Sequence, residues 1–272
     1  MVAKLPGSHL LAYGLTAEQE DAFSQDTGHP ASFWAALPDS AVVLNASNSG
    51  AEGSAFSIVH NADIVLSAKA AHSRRGLYLY FEITDDRFID SIGESYNTTD
   101  AVEVLLDRQS SAVINTPGKP AFLNPGWGLT LQTRQYQVAT GGVQWPTAMR
   151  RNLPSPWDMA YKTWPLAEAK QRFGIVVCHS KSGRMKRIQE WFLPWIEVSG
   201  GAWSDEPAVG TELGLTIGYN DQDLPGGPVK RLRWIDKKGP WRAPGAKGEA
   251  PRGWGDLVIG PIPEARPSTA AR

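Results

Sequence analysis

The 272-residue chain has a single cysteine, Cys178, so no disulfide can form within it and its stability must come from a core or a bound metal. Cys178 itself lies in the apolar run Gly174-Ile175-Val176-Val177-Cys178-His179, the setting of a buried structural thiol rather than a nucleophile. Long hydrophobic runs are missing as well. No stretch approaches the roughly 20 apolar residues of a membrane-spanning helix, and Met1 to Gly14 lack the apolar core of an export signal. A secreted or periplasmic location is therefore expected if a leader has been removed, and a cytoplasmic one if the sequence is complete. Charge of one sign is not in excess. Lys plus Arg number 27 against 28 Asp plus Glu, so no global field recruits nucleic acid or an anionic membrane. His9, His29, His60, His72 and His179 show no metal-ligand spacing and are read as structural. There is no phosphate-cradling glycine loop and no Gly-x-Ser-x-Gly elbow.

What is present is turn-forming and aromatic. Glycine (27) and proline (20) suit a chain of many strands. The 11 tryptophans exceed what one core needs, which leaves a few for ligand stacking.

Two β-rich runs organise the reading. Gly76 to Asp86 reads as a strand, preceded by Ala62 to His72 and a short turn ending in Gly76, which is hairpin logic. Thr99 to Asp107 reads as another, with Val102, Val104 and Leu106 on one face and Ala101, Glu103 and Leu105 on the other. Glu103 is thus a mid-strand carboxylate that needs a hydrogen bond, a cation or an open cleft. Thr16 with Gln19 marks a short capped helix near the start, and Leu166 to Arg172 suggests another. Further strands are expected at 132–138, 174–179, 188–195, 213–223 and 254–260, with Pro194 ending the third. The pattern predicts an all-β, antiparallel two-sheet sandwich of about ten strands with long loops and little helix. Residues 1–29 are expected to form an N-terminal extension, 30–261 the sandwich and 262–272 a flexible tail.

Acidic residues end three of these strands: Asp85 with Asp86, Asp107, and Asp221 with Asp223. Hard oxygen ligands at loop bases suit calcium, so Asp85, Asp86, Asp107 and Asp223 are candidate ligands of a structural ion; turn acids without a metal are also common. No organic cofactor is expected. Glu103 with Glu190 or Asp221 would be the carboxylate pair of a glycan-cleaving enzyme. The basic residues of 230–252, among them Lys230, Arg231 and Arg233, are interleaved with Trp234 and Trp241. That pattern fits an acidic or neutral sugar, or a solvated loop, better than nucleic acid in a chain with net charge −1.

The ordered motifs Leu77-Tyr-Leu-Tyr-Phe-Glu-Ile-Thr-Asp-Asp86, Thr99-Asp-Ala-Val-Glu-Val-Leu-Leu-Asp107, Glu190-Trp-Phe-Leu-Pro-Trp195, Ile217-Gly-Tyr-Asn-Asp-Gln-Asp223 and Trp254-Gly-Asp-Leu-Val-Ile-Gly260 resemble the family 9 carbohydrate-binding modules and, more widely, the DOMON-like sandwiches. The resemblance spans about residues 30–261. It implies a non-catalytic domain that holds a polysaccharide or oligosaccharide end between two aromatic rings, with calcium in a structural role and a glycoside hydrolase, encoded elsewhere, as companion. By motif position Glu103 is similar to the family's sugar-contacting glutamate, and Asn220 and Asp221 to its Asn-Asp turn. Arg134 and Gln135 fall near its polar strand. The first clamp ring falls at Asn97, with Tyr96 beside it, and Trp234 is the candidate for the opposing ring. DOMON-like relatives also include b-type haem electron carriers, for which Met149, Met159, Met185, His60 and His72 would be the available ligands.

Overall fold

The computed structural model describes residues 9–23, 29–38, 41–45, 50–52, 64–89, 100–114, 130, 132–139, 148–152, 162–163, 173–179, 185–223, 230–234 and 254–263. Its centre is the expected hairpin. Strand β4 (Ile64–His72) pairs antiparallel with β5 (Gly76–Asp85), and the turn between them is closed by a hydrogen bond from Ser73 N to Gly76 O. Gly76 is required there, because a Cβ would sit 2.4 Å from the backbone oxygen of Leu193. Leu77, Leu79, Phe81 and Ile83 alternate into the core, as the period of a strand dictates.

From β5 the sheet continues through β11 (Met185–Pro194) to β10 (Phe173–His179). Pro194 ends β11 as expected, and the one-turn helix α3 (Trp195–Val198) follows it. On the other side of β4 come β1 (His9–Gly14), β14 (Gly255–Ile259), β12 (Glu212–Asp221), β6 (Ala101–Asp107), β7 (Arg134–Ala139), β8 (Ala148–Asn152) and β9 (Lys162–Thr163). Three short strands lie off this path. The strand β2 (Val42–Asn45) pairs with β4, β13 (Lys230–Arg233) with β12, and β3 (Gly50–Glu52) with β13.

The all-β expectation therefore holds, and its finer form changes. The described strands form one curled, mixed sheet of 14 strands rather than about ten strands in two antiparallel sheets. The joint is β1, which pairs parallel with both β4 and β14. A parallel pair has no hairpin turn between its strands, so nothing local in the sequence announces it. The stretch read as an extension thus supplies the strand that links the two halves. Leu79, Phe81 and Trp191 from one half share a single buried cluster with Val104, Ile217 and Tyr219 from the other.

The outer face of the first half is covered by the N-terminal segment. The helix α1 (Ala17–Asp21) carries the expected capping box, with Thr16 and Gln19 exchanging side-chain and backbone bonds of 3.2 and 2.9 Å. Phe33 and Trp34 of α2 (Phe33–Ala36) pack with Leu15 and Leu37 over Ala71 and Tyr78. No helix among the described residues is long and apolar enough to cross a membrane. The helix suggested at 166–172 lies outside the described residues.

Candidate ligand-binding face and acidic cluster

Period-two alternation in β6 sends Val102, Val104 and Leu106 into the core and leaves Glu103 on the opposite face of the sheet. Antiparallel register then builds a polar row across four strands: Gln137 of β7, Glu103 of β6, Gly218 of β12 and Arg233 of β13. The glycine is what lets the row close. A Cβ at Gly218 would lie 2.1 Å from Arg233 Nη1, so only a residue without a side chain lets the guanidinium cross β12 to reach Glu103. Arg233 Nη1 donates to Glu103 Oε2 and Gln135 Nε2 donates to Oε1, which answers the mid-strand carboxylate's need for partners. One register step away, Arg231 Nε donates to Asn220 Oδ1 at 3.2 Å.

Two atoms of this array have no mate among the described residues. Glu103, Gln135 and Arg233 are each 4% exposed, yet Gln135 Oε1 and Arg233 Nε find no hydrogen-bond partner. An acceptor and a donor left over on one buried face are unusual in a folded protein. A hydroxyl group, which both donates and accepts, is the chemistry that satisfies them.

The other residues nominated for sugar contact fall elsewhere. Arg134 neighbours Gln135 in sequence and so faces the other way; its Nη1 donates to Thr133 O at 3.0 Å and its guanidinium fills the space above Gly200. Trp234 follows Arg233 and so turns into the core, where it is 5% exposed, and its backbone N–H donates to Ile217 O. Its ring is therefore not a clamp on the polar face. Tyr96 lies outside the described residues. Asn220 and Asp221 part company, Asn220 on the polar face and Asp221 on the core side.

On the core side Asp221 meets Asp85 and Asp100, all three fully buried, with ligand oxygens within 4.8 Å of one another. They come from the end of β5, the approach to β6 and the end of β12. Asp85 accepts from Arg87 N at 3.0 Å and from the Tyr219 hydroxyl at 2.9 Å, and Asp100 accepts from Gln222 N at 2.7 Å and from Ile89 N. Burial, reinforced by the Asp100 and Asp86 charges, pushes the Asp85 carboxyl from 3.8 up to about 8 against those two hydrogen bonds. The Tyr219 hydroxyl is driven well above its ordinary value by burial and by the Asp85, Asp100 and Asp221 charges. Lys230 Nζ approaches Asp221 only to 3.6 Å. Three buried carboxylates around one point form an all-oxygen donor set, which fits a hard cation such as calcium.

Of the four acids nominated for calcium, only Asp85 belongs to this cluster. Asp86 is exposed, and Asp223 pairs with Lys230 at 2.6 Å. Asp107 stands at the far end of β6, roughly 20 Å from Asp100 at the usual strand rise. There it is held by the hydroxyls of Thr130 and Thr133 and by Gln109 N, and burial raises its carboxyl above the ordinary range. Asp100 was missed because the sequence reading placed it inside the strand Thr99 to Asp107 and nominated only acids that end strands; the observed strand begins at Ala101, which leaves Asp100 at the strand's entry.

The hydrolase pairing does not assemble. Glu190 lies on the outer face of the other half, where its Oε1 accepts from Ala31 N at 2.9 Å and Trp34 Nε1 at 2.5 Å, and Asp221 faces away from Glu103. The haem nominee His72 has both ring nitrogens engaged, Nδ1 with Glu206 at 2.5 Å and Nε2 with Gly260 O at 2.8 Å. His60 and Met159 lie outside the described residues, and Met149 and Met185 are described only as strand backbone. An open cleft of ≈ 420 Å³ lined by Trp203, Asp205, Glu206 and Thr211 shares no residue with the polar face.

No protein-family model matches the chain, and no curated protein matches it in sequence. Solved structures do. A family 9 carbohydrate-binding module from Caldicellulosiruptor kristjanssonii, in complex with cellotriose, superposes with a TM-score of 0.50 at 14% identity, covering 97% of this chain and 97% of that one. A Bacteroides uniformis protein, provisionally described as carbohydrate-binding, gives a TM-score of 0.50 at 10% identity over 92% of this chain and 98% of its own. The fold is that of the family 9 modules.

Proposed function

We propose that the chain is a non-catalytic carbohydrate-binding domain whose ligand lies against the polar face of β7, β6, β12 and β13. The observation that carries this reading is the buried pair of unmated atoms, Gln135 Oε1 and Arg233 Nε, beside a Glu103 carboxylate already fixed in place. Sugar hydroxyls would donate to Gln135 and Glu103 and accept from Arg233, with Asn220 and Arg231 extending the contact. Because Glu103 is held from both sides, little ordering is left to do on binding, which favours affinity. Tyr96 is proposed as the stacking ring.

Calcium is proposed as a structural ion on Asp85, Asp100 and Asp221, where it would neutralise buried charge and tie the ends of three strands. A glycoside hydrolase encoded elsewhere is the proposed companion, and an extracellular or periplasmic polysaccharide the proposed setting. The test is a broad glycan panel run on purified protein with calcium and with chelator. Defined hits that are lost in Glu103→Gln are expected; a blank panel from folded, calcium-loaded protein overturns the reading.

A further inference from the structure

We propose that the open cleft in the segment between α3 and β12 is a second sugar-contact site, one that takes a neutral pyranose ring and turns acidic sugars away. It does not depend on the reading given to the polar face, with which it shares no residue. The segment that forms it is tied down at both ends: Gly201 N donates to Ile196 O at 2.7 Å, Trp203 N to Ser199 Oγ at 2.8 Å, and Gly210 N to Ile259 O at 2.7 Å. Its volume of ≈ 420 Å³ falls within the usual range for small-molecule sites, about 300–1,000 Å³. Trp203 is the platform. Its indole packs against the core cluster and meets the Trp195 ring at 6.4 Å and 62°, yet it stays partly exposed and lines the cleft. Two carboxyls share that lining. Glu206, 31% exposed, is held from the inside by His72 Nδ1 at 2.5 Å; His72 is itself fixed by Gly260 O, which can only accept, so Nε2 carries the hydrogen of that bond. Asp205 is exposed, and its Oδ2 accepts from Ser204 Oγ at 2.8 Å. An aromatic face beside fixed acceptors suits a ring that is apolar on one side and donates hydroxyls at its rim, which is a pyranose. No basic side chain lines the cleft among the described residues, so a carboxylate on the ligand would stand against Asp205 and Glu206 with nothing to receive it. Thr211, on the cleft wall, adjoins the start of β12, and at the usual strand rise Gly218 and the polar face lie roughly 20 Å further on. A disaccharide held at one site therefore does not occupy the other.

The test follows the Trp203 signal of the full chain by fluorine NMR after labelling with 5-fluorotryptophan, the signal being identified by its loss in Trp203→Phe. The probes are neutral disaccharides of the gluco, galacto and manno series, the corresponding uronates, and the corresponding free-amine hexosamines. At least one neutral disaccharide is expected to shift the Trp203 signal saturably, and to do so with unchanged affinity in Glu103→Gln, which disables the polar face. Its uronate counterpart should bind at least tenfold more weakly, with the difference shrinking as salt rises. Asp205→Asn, an exposed substitution that leaves the core untouched, should weaken the neutral sugar at least threefold and narrow the gap to the uronate. Failure of every neutral sugar to shift the signal of folded protein overturns the inference, whatever the polar face binds. A shift that disappears in Glu103→Gln overturns it too, because Trp203 would then be reporting the other site. Tighter binding of a hexosamine than of its neutral counterpart overturns the ligand class, making the cleft a site for an ammonium group.

Discussion

Gly218 shows how one missing side chain sets the chemistry of the face. Its absence of bulk is what brings Arg233 onto Glu103, so Gly218→Ala is expected to displace the guanidinium and leave a buried carboxylate short of its counter-charge. Glycan affinity should fall at least tenfold and stability by about 3 kcal/mol, the range for breaking a buried pair from one side; calorimetric titration and denaturant melts measure the two. Glu190 offers a pH test at the same scale. Burial raises its carboxyl above the ordinary range against the bonds from Ala31 and Trp34. A carboxyl raised on folding contributes stability that is present below its unfolded pKa and lost as pH climbs through the folded one. Glu190→Gln keeps an amide oxygen for both donors and cannot ionise. The Tm of the variant relative to the natural chain should therefore rise from pH 4 to pH 8, followed by differential scanning fluorimetry; a flat difference would show that Glu190 does not titrate between those limits.

At the scale of elements, strand ends divide the acids into two kinds. Asp85, Asp100 and Asp221 converge on one buried point, while Asp107 stitches the residues around Thr130 to β6 through neutral donors. Calcium should raise Tm, by the equivalent of about 2.7 kcal/mol at a hundredfold excess over its dissociation constant. Asp100→Asn should abolish that response, and Asp107→Asn should keep it while lowering stability by about 1–3 kcal/mol through its unsatisfied threonines. What the sequence revealed of these elements was whatever is local. The β4–β5 hairpin, the capping box at Thr16 and the alternation that isolates Glu103 all rest on neighbours within a few residues. The site was half legible for the same reason. Glu103, Gln135 and Asn220 lie in clear strands, whereas Arg231 and Arg233 were submerged in a basic run that read as loop. Asn220 with Asp221, and Arg134 with Gln135, were each read as one unit, although adjacent strand residues must face opposite ways. Trp234 was chosen for its ring; its neighbour Arg233 had already taken the polar side.

For the whole molecule, β1 is the decisive strand. It is held to β4 on one side and β14 on the other, and Gly260 N and Gly14 N add bonds of 2.7 and 3.1 Å to Ala12 O and Pro261 O. Removing residues 1–14 leaves both halves with an open inner edge. The shortened protein is expected to lose its cooperative melt and to yield to limited proteolysis, and a sharp two-state transition in the truncated form would contradict the linking role. The same strand governs the order of biosynthesis. His9 through Ala12 must find Asp256 through Ile259, partners far away along the chain. Until the intervening chain has been made the first strand stands without its β14 neighbour, so the curl closes as a late, long-range and slow step.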